Sequence, residues 1–265
     1  MPISEYRHFT VTKTDEIAII RFQNPPYNAM TFDALIELGE VIDALESSRF
    51  VKGIILTGGI DHTFVSELDI KMLAGMDLLS RRFAKLIKTV NRIFDRIESM
   101  EKPTLALLNG HTLGVGLELA MLFDFRFVSA GDYEIGLPEI KLGFYPFFGG
   151  TVRLVKMIGD AKARPMILMG KTLNPAEAER IGIADMVCNK DMLFEEGYRF
   201  IKKITQGPLL AYSAVKRSIV SASRHSTGDI ILREIRRIGD VAGSEDFKEG
   251  VKAFLEKRKP KFTGR

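Results

Sequence analysis

The sequence contains little that could bind a metal ion or form a disulfide. Its 265 residues include one cysteine, Cys188, and four histidines, which are His8, His62, His111 and His225. One cysteine cannot form an intramolecular disulfide, and no two histidines are spaced as a His-x-x-x-His or His-Glu-x-x-His pair. The sequence therefore predicts no metal site, and Cys188 is interpreted as a small core residue near the end of a strand.

Long apolar runs are also missing from the chain. No stretch of 18 consecutive apolar residues occurs, so the sequence predicts no membrane-spanning helix. The first residues, Met1 to Arg7, lack the apolar core of a secretory signal peptide. We therefore expect a cytoplasmic protein without a membrane partner.

Charge of either sign is moderate. Charged residues make up 27% and hydrophobic residues 46% of the chain, which is typical of a folded globular protein, and the formal net charge is +4. No alternation of aromatic and basic residues resembles a nucleic-acid surface, so nucleic acid is not a predicted partner. The basic residues near the C-terminus have two interpretations: they bind an anionic partner other than nucleic acid, or they form a solvated tail. These residues are Lys257, Arg258, Lys259, Lys261 and Arg265.

Strand and helix patterns alternate in the first half of the chain. Thr31 is a plausible N-cap for a helix with an apolar stripe that extends to Leu45, and a long amphipathic helix is predicted at 79–99. The segment 60–70 is predicted as a loop that leads into a helix from about Leu68. Such alternation favours an α/β fold with a mostly parallel, buried sheet. Strands are predicted at 11–14, 17–22, 52–57, 104–108, 124–128, 133–136 and 183–187.

The last third of the sequence is predicted to be mainly helical. Thr151 can cap the first of these helices. We therefore divide the chain into an α/β core at 1–195 and a C-terminal helical oligomerisation region at 196–265. The further helices are predicted at about 161–169, 175–181, 191–205, 208–222, 230–242 and 244–257.

A glycine-rich turn stands between a strand and a helix at the centre of the chain. The apolar run 104–108 is followed by Gly110, Gly114 and Gly116, after which a helical pattern begins. The first N–H groups of a helix have no intrahelical partner and lie at the positive end of its dipole, so this turn can hold a negative oxygen. Glu118 follows one helical turn later. A carboxylate beside an anion pocket is typical of a site that moves protons.

Five segments together resemble one family, the enoyl-coenzyme A hydratase and isomerase, or crotonase, superfamily. The resemblance covers nearly the whole chain. It implies a crotonase-like spiral of strand-strand-helix turns with a helical C-terminal trimerisation layer, a homotrimer or hexamer, and an acyl-coenzyme A thioester as substrate. The matching segments are Asn24-Pro25 with Asn28-Ala29-Met30, Phe64 to Ile70, Gly110 to Asp124, Gly136-x-Pro138-Glu139-x-x-x-Gly143, and Ser244 to Pro260.

The resemblance also implies roles for individual residues. The backbone N–H groups of Ser66 and Val115 would form an oxyanion hole for the thioester oxygen, where fixed donors stabilise developing enolate charge. Glu118 would take a proton from water and Glu139 would deliver one to the α-carbon. No cofactor is implied beyond the coenzyme A of the substrate. The implied substrate-binding residues are Phe64, Glu67, Leu68, Asp69, Ile70, Gly114, Phe144, Phe147, Lys257 and Lys261.

Two residues depart from the family pattern. Val115 stands where the family usually has glycine, which keeps the N–H but narrows the pocket. Glu67 stands where a glycine usually follows the first donor, so a side chain occupies a place of close ligand approach. Asp69 and Asp124 are interpreted as braces of turns.

Several functions are compatible with these residues. The leading interpretation is a hydratase that adds water across the 2,3 double bond of an enoyl-coenzyme A, because both glutamate positions are retained. An isomerase, a hydrolase or a decarboxylase of the same superfamily needs the same oxyanion hole. A binding protein without catalysis is the alternative from another class, in which Glu67 spoils the oxyanion hole and the basic tail binds an anionic polymer.

Overall fold

The protein is built on two β-sheets whose strands alternate along the chain. A computed structural model describes residues 6–222 and 225–264. Within these residues the strands are β1 (Phe9–Thr14), β2 (Ile17–Phe22), β3 (Gly53–Gly58), β4 (His62–Val65), β5 (Thr104–Leu108), β6 (Gly110–Leu113), β7 (Phe125–Ser129), β8 (Ile135–Gly136), β9 (Thr172–Leu173) and β10 (Met186–Cys188). The first sheet has the order β1-β2-β3-β5-β7-β10, and the second has the order β4-β6-β8-β9.

Helices connect and cover these strands. Short 3-10 turns at Glu139–Leu142 and Lys190–Met192 complete the described elements. The α-helices are α1 (Phe32–Ser47), α2 (Ile70–Ala74), α3 (Arg81–Ser99), α4 (Val115–Ala120), α5 (Gly150–Ile158), α6 (Asp160–Leu168), α7 (Pro175–Ile181), α8 (Leu193–Thr205), α9 (Leu209–Ala222), α10 (Thr227–Ala242) and α11 (Glu245–Leu255).

The chain winds as a spiral in which each turn contributes one strand to each sheet. β3, β5 and β7 belong to the first sheet, and β4, β6 and β8, which follow them, belong to the second. Apart from the antiparallel pair β1–β2, neighbouring strands of the first sheet run parallel. The prediction of an α/β spiral of strand-strand-helix turns is confirmed, since a parallel sheet requires such crossovers.

Both faces of the first sheet are covered, which explains its continuous apolar strands. Every residue of β5 is buried. Leu105 and Leu107 pack with Ile201 of α8 on one face, whereas Ala106 and Leu108 belong to the main core on the other. A strand buried on both sides reads as an uninterrupted apolar run, and this is the signal by which β5 was predicted.

The second sheet corrects two predictions. The segment predicted as a loop at 60–70 contains β4, and the turn predicted at Gly110 is the start of β6. These strands have only four residues each, too few for a recognisable alternation. Gly110 is required by packing as well as by turning, because a Cβ there would lie 1.9 Å from the carbonyl carbon of His62.

The predicted cap at Thr151 is also wrong. Helix α5 begins at Gly150, and its N-cap is Gly149, which has a left-handed backbone and makes no side-chain capping bond. The cap predicted at Thr31 is confirmed, because its side chain accepts the N–H of Ala34. The interpretation of Asp69 as a brace is confirmed as well, because its side chain caps α2 by accepting the N–H of Met72. The sequence did not show that a glycine would replace the usual polar cap of α5.

A buried ion pair fastens the C-terminal helices to the sheet. Asp124 precedes β7 and accepts hydrogen bonds from the backbone N–H of Thr104 at 2.8 Å, the Tyr212 hydroxyl at 2.9 Å and the Lys216 ammonium at 2.8 Å. Tyr212 and Lys216 belong to α9, so this carboxylate brings α9 against the ends of β5 and β7. The interpretation of Asp124 as a brace is thereby confirmed.

The expected division between residues 195 and 196 falls within α8, whose apolar residues pack on the first sheet. The oligomerisation role of the C-terminal helices stays a prediction. No helix in 6–222 or 225–264 is both long and apolar enough to span a membrane.

Candidate active site

Parallel pairing of β4 with β6 brings two turns side by side. His62 and Thr63 of β4 pair with Gly110 and His111 of β6. Since parallel strands end at the same edge, the segment after β4 and the turn after β6 lie next to each other, and each leads into a short helix, α2 or α4. The sheet therefore places Ser66 to Leu68 beside Gly114 to Gly116.

The turn after β6 leaves backbone donors available. Gly114 has φ +54 and ψ −124, a conformation that favours glycine, and its carbonyl accepts the N–H groups of Leu117 and Glu118. Val115 and Gly116 are the first residues of α4, whose N–H groups have no partner inside the helix. Among residues 6–222 and 225–264 the backbone N–H of Val115 has no recorded acceptor, so it is a donor available at the start of α4.

The other predicted donor already has an acceptor. The N–H of Ser66 donates to the carbonyl of Asn28 at 3.3 Å, near the long limit for such a bond. Asn28 itself is fully buried, and its side-chain amide donates to the carbonyl of Phe64 at 2.7 Å. This asparagine therefore fixes the segment that ends β4.

Glu118 is a buried carboxyl group held by a single turn. It is 1% exposed, and its Oε1 atom accepts the N–H groups of Phe148 at 2.9 Å and Gly150 at 2.7 Å. Burial, followed by the charge of Glu139, raises the pKa of Glu118 to about 8, although the two hydrogen bonds and the charge of Arg153 act in the opposite direction. A proton can therefore reside on Glu118 at neutral pH.

Glu139 opens the 3-10 turn that follows β8 and lies against Gly114. A Cβ on Gly114 would come within 3.1 Å of the Glu139 Oε1 atom, so glycine leaves room for this carboxyl group. Burial is the main cause that raises the pKa of Glu139 to about 7, and the charge of Glu67 adds to it. The Oε2 atom is buried and has no hydrogen-bond partner among the residues that the structure describes. It is thus available to a ligand.

Both glutamates face one cavity of about 390 Å³, which we call the glutamate cavity. Apolar side chains form most of its wall, while Glu67 and Lys141 also border it. Two carboxyl groups with raised pKa values in an apolar cleft are typical of a site that exchanges protons with a ligand. The apolar wall consists of Leu68, Ile70, Leu73, Ala74, Leu78, Val115, Pro138, Leu142, Phe144, Phe147 and Phe148.

Most of the residues predicted from the sequence meet at this cavity, and a few lie elsewhere. Phe64 is fully buried in the main core, and the Asp69 side chain is occupied as the cap of α2. Lys257 and Lys261 are exposed near the C-terminus and do not line the glutamate cavity. The residues found at the cavity are Glu67, Leu68, Ile70, Gly114, Val115, Glu118, Glu139, Phe144 and Phe147.

One wall of the glutamate cavity, formed by α2 and by Leu78 four residues after it, was not predicted from the sequence. Leu73, Ala74 and Leu78 line the glutamate cavity together with Ile70. Ile70, Leu73 and Ala74 are spaced at i, i+3 and i+4, which is the signature of one helix face. A helix of five residues is too short for that signature to stand out in the sequence.

A larger cavity of about 800 Å³ lies between α3, α5 and α9. Several of its charged side chains pair with one another, as Arg153 does with Glu98 and Lys216 with Asp124. Neither Glu118 nor Glu139 lines it. We therefore place the chemistry in the smaller glutamate cavity.

Comparisons with known proteins agree on one family. Residues 12–265 match the family model for enoyl-CoA hydratase/isomerase. The chain is 34% identical over 267 residues to a crotonyl-CoA hydratase of Syntrophomonas wolfei, covering 98% of this chain and 99% of the relative. It is 31% identical to a short-chain-enoyl-CoA hydratase of Clostridium acetobutylicum, covering 96% of this chain and 97% of the relative.

Solved structures show the same fold. A crystal structure of an enoyl-CoA hydratase from Geobacillus kaustophilus superimposes with a TM-score of 0.94 at 31% identity, covering 99% of this chain and 98% of that one. A second, from Bacillus anthracis, has a TM-score of 0.90 at 26% identity, covering 98% and 100%. The spiral architecture is therefore shared over nearly the full length.

The raised pKa of Glu118 predicts how the Glu118→Gln variant should unfold. The pKa is about 8 in the folded protein and 4.5 ordinarily, so between these values the unfolded chain releases a proton that the folded state retains, and stability falls as pH rises. A glutamine oxygen can accept both N–H groups without a charge. We expect the urea midpoint of Glu118→Gln to exceed that of the parent by an amount that grows from about pH 5 to about pH 8.

The matched control is Glu40→Gln, which changes an exposed glutamate on α1. Its midpoint should differ from the parent by the same small amount across this range. A constant gap for Glu118→Gln between about pH 4 and pH 9 would contradict a pKa raised by burial.

Proposed function

The chain is an enzyme of the enoyl-CoA hydratase/isomerase family, and on this premise we propose that it adds water across the 2,3 double bond of an enoyl-coenzyme A thioester. The observation that carries the proposal is that Glu118 and Glu139 face one cavity beside the turn that begins α4. Moving a double bond requires only one carboxylate to shuttle a proton, whereas adding water uses one group on the water and another on the carbon. The names of the relatives, crotonyl-CoA hydratase and short-chain-enoyl-CoA hydratase, support the same reaction.

In the proposed complex the thioester oxygen binds at the two adjacent turns. The N–H of Val115 lies at the start of α4 and has no partner within that helix, so it would donate to the thioester oxygen. The Ser66 N–H would share or exchange its 3.3 Å bond to Asn28 for a shorter bond to the substrate oxygen. Two fixed donors stabilise the enolate as its charge develops, and loss of one such donor costs about 3 kcal/mol in comparable sites.

The two glutamates complete the proton transfers. Glu118, as carboxylate, accepts a proton from the water whose oxygen forms a bond to the β-carbon, and the electrons of the double bond move to the thioester oxygen. When the enolate collapses, Glu139 gives its proton to the α-carbon. The pair must therefore carry one proton at the start. With pKa values of about 8 for Glu118 and about 7 for Glu139, the pair holds about one proton near neutral pH. The higher pKa of Glu118 places that proton more often on Glu118, so the reactive form, with Glu118 ionised and Glu139 protonated, is the less populated of the two singly protonated forms.

Removing either proton carrier should abolish most of the reaction. We expect Glu118→Gln and Glu139→Gln each to reduce kcat for hydration by about a hundredfold or more, with KM little changed, because each deletes a proton-transfer step. The two effects should not multiply in the double variant. Product analysis in oxygen-labelled water gives the test, with the exposed Glu40→Gln as the unaffected control.

The products distinguish the functions that the sequence left open. A hydroxyacyl product that carries solvent oxygen indicates hydration, and a displaced double bond indicates isomerisation. Release of free coenzyme A or of carbon dioxide would indicate a hydrolase or a decarboxylase. Full activity after either substitution would remove that glutamate from the mechanism.

Glu67 is proposed to set the charge of the site. Its side chain is exposed to solvent on one side and borders the glutamate cavity on the other. Partial burial and the neighbouring Asp69 raise the pKa of Glu67, and its own charge in turn raises the pKa of Glu139. A negative Glu67 therefore favours the protonated form of Glu139 that the reaction requires, although it also opposes enolate charge nearby.

Two variants separate the charge of Glu67 from its size. Glu67→Gln removes the charge, so the pKa of Glu139 should fall. Because Glu139 has the lower pKa of the pair, the acid limb of the kcat profile should then move to lower pH. Glu67→Gly should show the same shift and also open space beside Ser66, which favours ordinary straight-chain substrates. Profiles on crotonyl-coenzyme A and on a thioester with a polar acyl group provide the measurement. Unchanged profiles from about pH 5 to pH 9 for both substrates would place Glu67 outside the mechanism.

The C-terminal helices are proposed to join subunits into a homotrimer or a pair of trimers. Helix α10 buries none of its residues within one chain. Apolar faces this large and unburied are typical of interfaces between subunits. The exposed apolar residues of α10 and α11 are Ile231, Leu232, Ile235, Ile238, Phe247, Val251, Phe254 and Leu255.

A charge placed on this face should disrupt the assembly. We expect Ile235→Asp to lower the mass measured by light scattering after gel filtration, because a buried, unpaired carboxylate is costly at an interface. Truncation before Pro208 should expose still more apolar surface and give aggregated protein. The conservative Ile235→Val serves as the control that keeps the assembly. A stable monomer after truncation, or an unchanged mass for Ile235→Asp, would contradict the proposal.

A further inference from the structure

One turn of the chain determines where the Glu118 carboxyl group lies. Phe148 and Gly150 both donate their N–H groups to its Oε1 atom. Between them, Gly149 has φ +91, a left-handed backbone that turns both N–H groups toward the same oxygen. Any change in this turn would move the carboxyl group or release it.

Arg153 supports this turn with its guanidinium group. Its Nη1 atom donates to the carbonyl of Phe148 at 2.7 Å. The guanidinium is also packed against Gly149, where a Cβ would come within 2.3 Å of Nη1. Because the Arg153 side chain is only 14% exposed, this bond is largely shielded from water. A charged donor thus fixes the peptide group between Phe148 and Gly149, within the turn.

The other edge of the guanidinium is anchored on α3. Its Nε and Nη2 atoms lie 3.3 Å and 3.2 Å from the two carboxylate oxygens of Glu98, and Asp95 lies at 3.6 Å. A two-pronged contact of this kind fixes the plane of the guanidinium, which a lysine cannot reproduce. Arg153 therefore connects a long, well-packed helix to the turn that holds Glu118.

Arg153 also acts on Glu118 through its charge. Its positive charge lowers the pKa of Glu118, against burial and the charge of Glu139, which both raise it. Asp95 and Glu98 face the guanidinium from α3. Arg153 does not line the glutamate cavity, so it would not contact a substrate there.

We propose that Arg153 is a positioning residue for catalysis: through the turn at 148–150 it holds the Glu118 carboxyl group in the orientation that accepts a proton from water. This inference rests on the proposed hydration. Arg153 would act in two ways, which substitutions can separate. The first is the two-pronged contact of its guanidinium with Glu98, here called the fork, which fixes the turn, and the second is its positive charge, which favours the ionised form of Glu118.

Three substitutions separate the components. Arg153→Gln removes charge and fork, Arg153→Lys keeps the charge but not the fork, and Glu98→Gln breaks the anchor while leaving the charge of Arg153. We expect Arg153→Gln to lower kcat roughly ten- to hundredfold with KM changed less than about threefold, since small displacements of a reacting group have effects of this size. Arg153→Lys and Glu98→Gln should lower kcat less.

The pH dependence gives the sharper test. Loss of the positive charge should raise the pKa of Glu118, which is the higher of the pair, so the alkaline limb of kcat should move to higher pH in Arg153→Gln by about half a unit or more. The limb should stay in place in Arg153→Lys and should not rise in Glu98→Gln. A purely structural ion pair predicts the same behaviour for Arg153→Gln and Glu98→Gln, because both break the same contact.

Infrared titration measures the same group without any substrate. The band of a protonated carboxyl group that disappears in Glu118→Gln belongs to Glu118, and its midpoint should rise in Arg153→Gln. This result stands or falls independently of whether hydration is the reaction. The matched control is Arg164→Gln on α6, which breaks an exposed pair with Asp160 and should leave kcat, KM and the band unchanged.

Two outcomes would overturn the proposal. The first is an Arg153→Gln protein with the kcat, the alkaline limb and the infrared midpoint of the parent. The second is an equal loss of kcat in Arg153→Gln and Glu98→Gln with no shift of the midpoint in either. If Arg153→Gln does not fold, an Arg153→Lys protein with the parent's kcat would equally overturn it, since the fork would then have no role.

Discussion

The structure around the glutamate cavity depends on the burial of one carboxyl group. An unpaired carboxylate in an apolar interior costs several kcal/mol, and proteins usually respond by protonating it or by giving it hydrogen bonds. Glu118 shows both responses, because its pKa is raised to about 8 and two backbone N–H groups donate to one of its oxygens. The turn before α5, the guanidinium of Arg153 and the ion pair with α3 all serve to keep those donors in place.

The spiral arrangement of strands makes this site possible. Each turn of the spiral ends a strand of the second sheet at the same edge, so β4, β6 and β8 deliver Glu67, Gly114 and Glu139 to one place although 72 residues separate the first from the last along the chain. The first sheet, buried on both faces, supplies the rigid base. The groups that we propose as catalytic thereby have fixed positions, as proton transfer to a bound substrate requires.

The sequence predicted the long elements and the family, but not the short elements that shape the cavity. Helices α1 and α3 carry complete apolar stripes, and β5 is an unbroken apolar run, so local patterns determine them. Strands β4 and β6 exist because they pair with each other, which no local pattern reveals. Phe64 was expected to touch substrate because it belongs to a motif, yet its side chain points into the core, and only the three-dimensional fold decides such directions.

The walls of the glutamate cavity differ in how freely they can vary. On the side formed by α2 and Leu78, the side chains of Leu73, Ala74 and Leu78 are apolar, so variants there should change the shape of the cavity while the fold persists. On the other side, a methyl group on Gly150 would lie 2.8 Å from the Glu118 carboxyl oxygen, and one on Gly114 would also strain a left-handed backbone. The apolar side chains of the α2 wall can therefore be substituted, whereas Gly114 and Gly150 cannot. A change in the ligand that the cavity accepts should be sought by substitutions on the α2 wall rather than at these glycines.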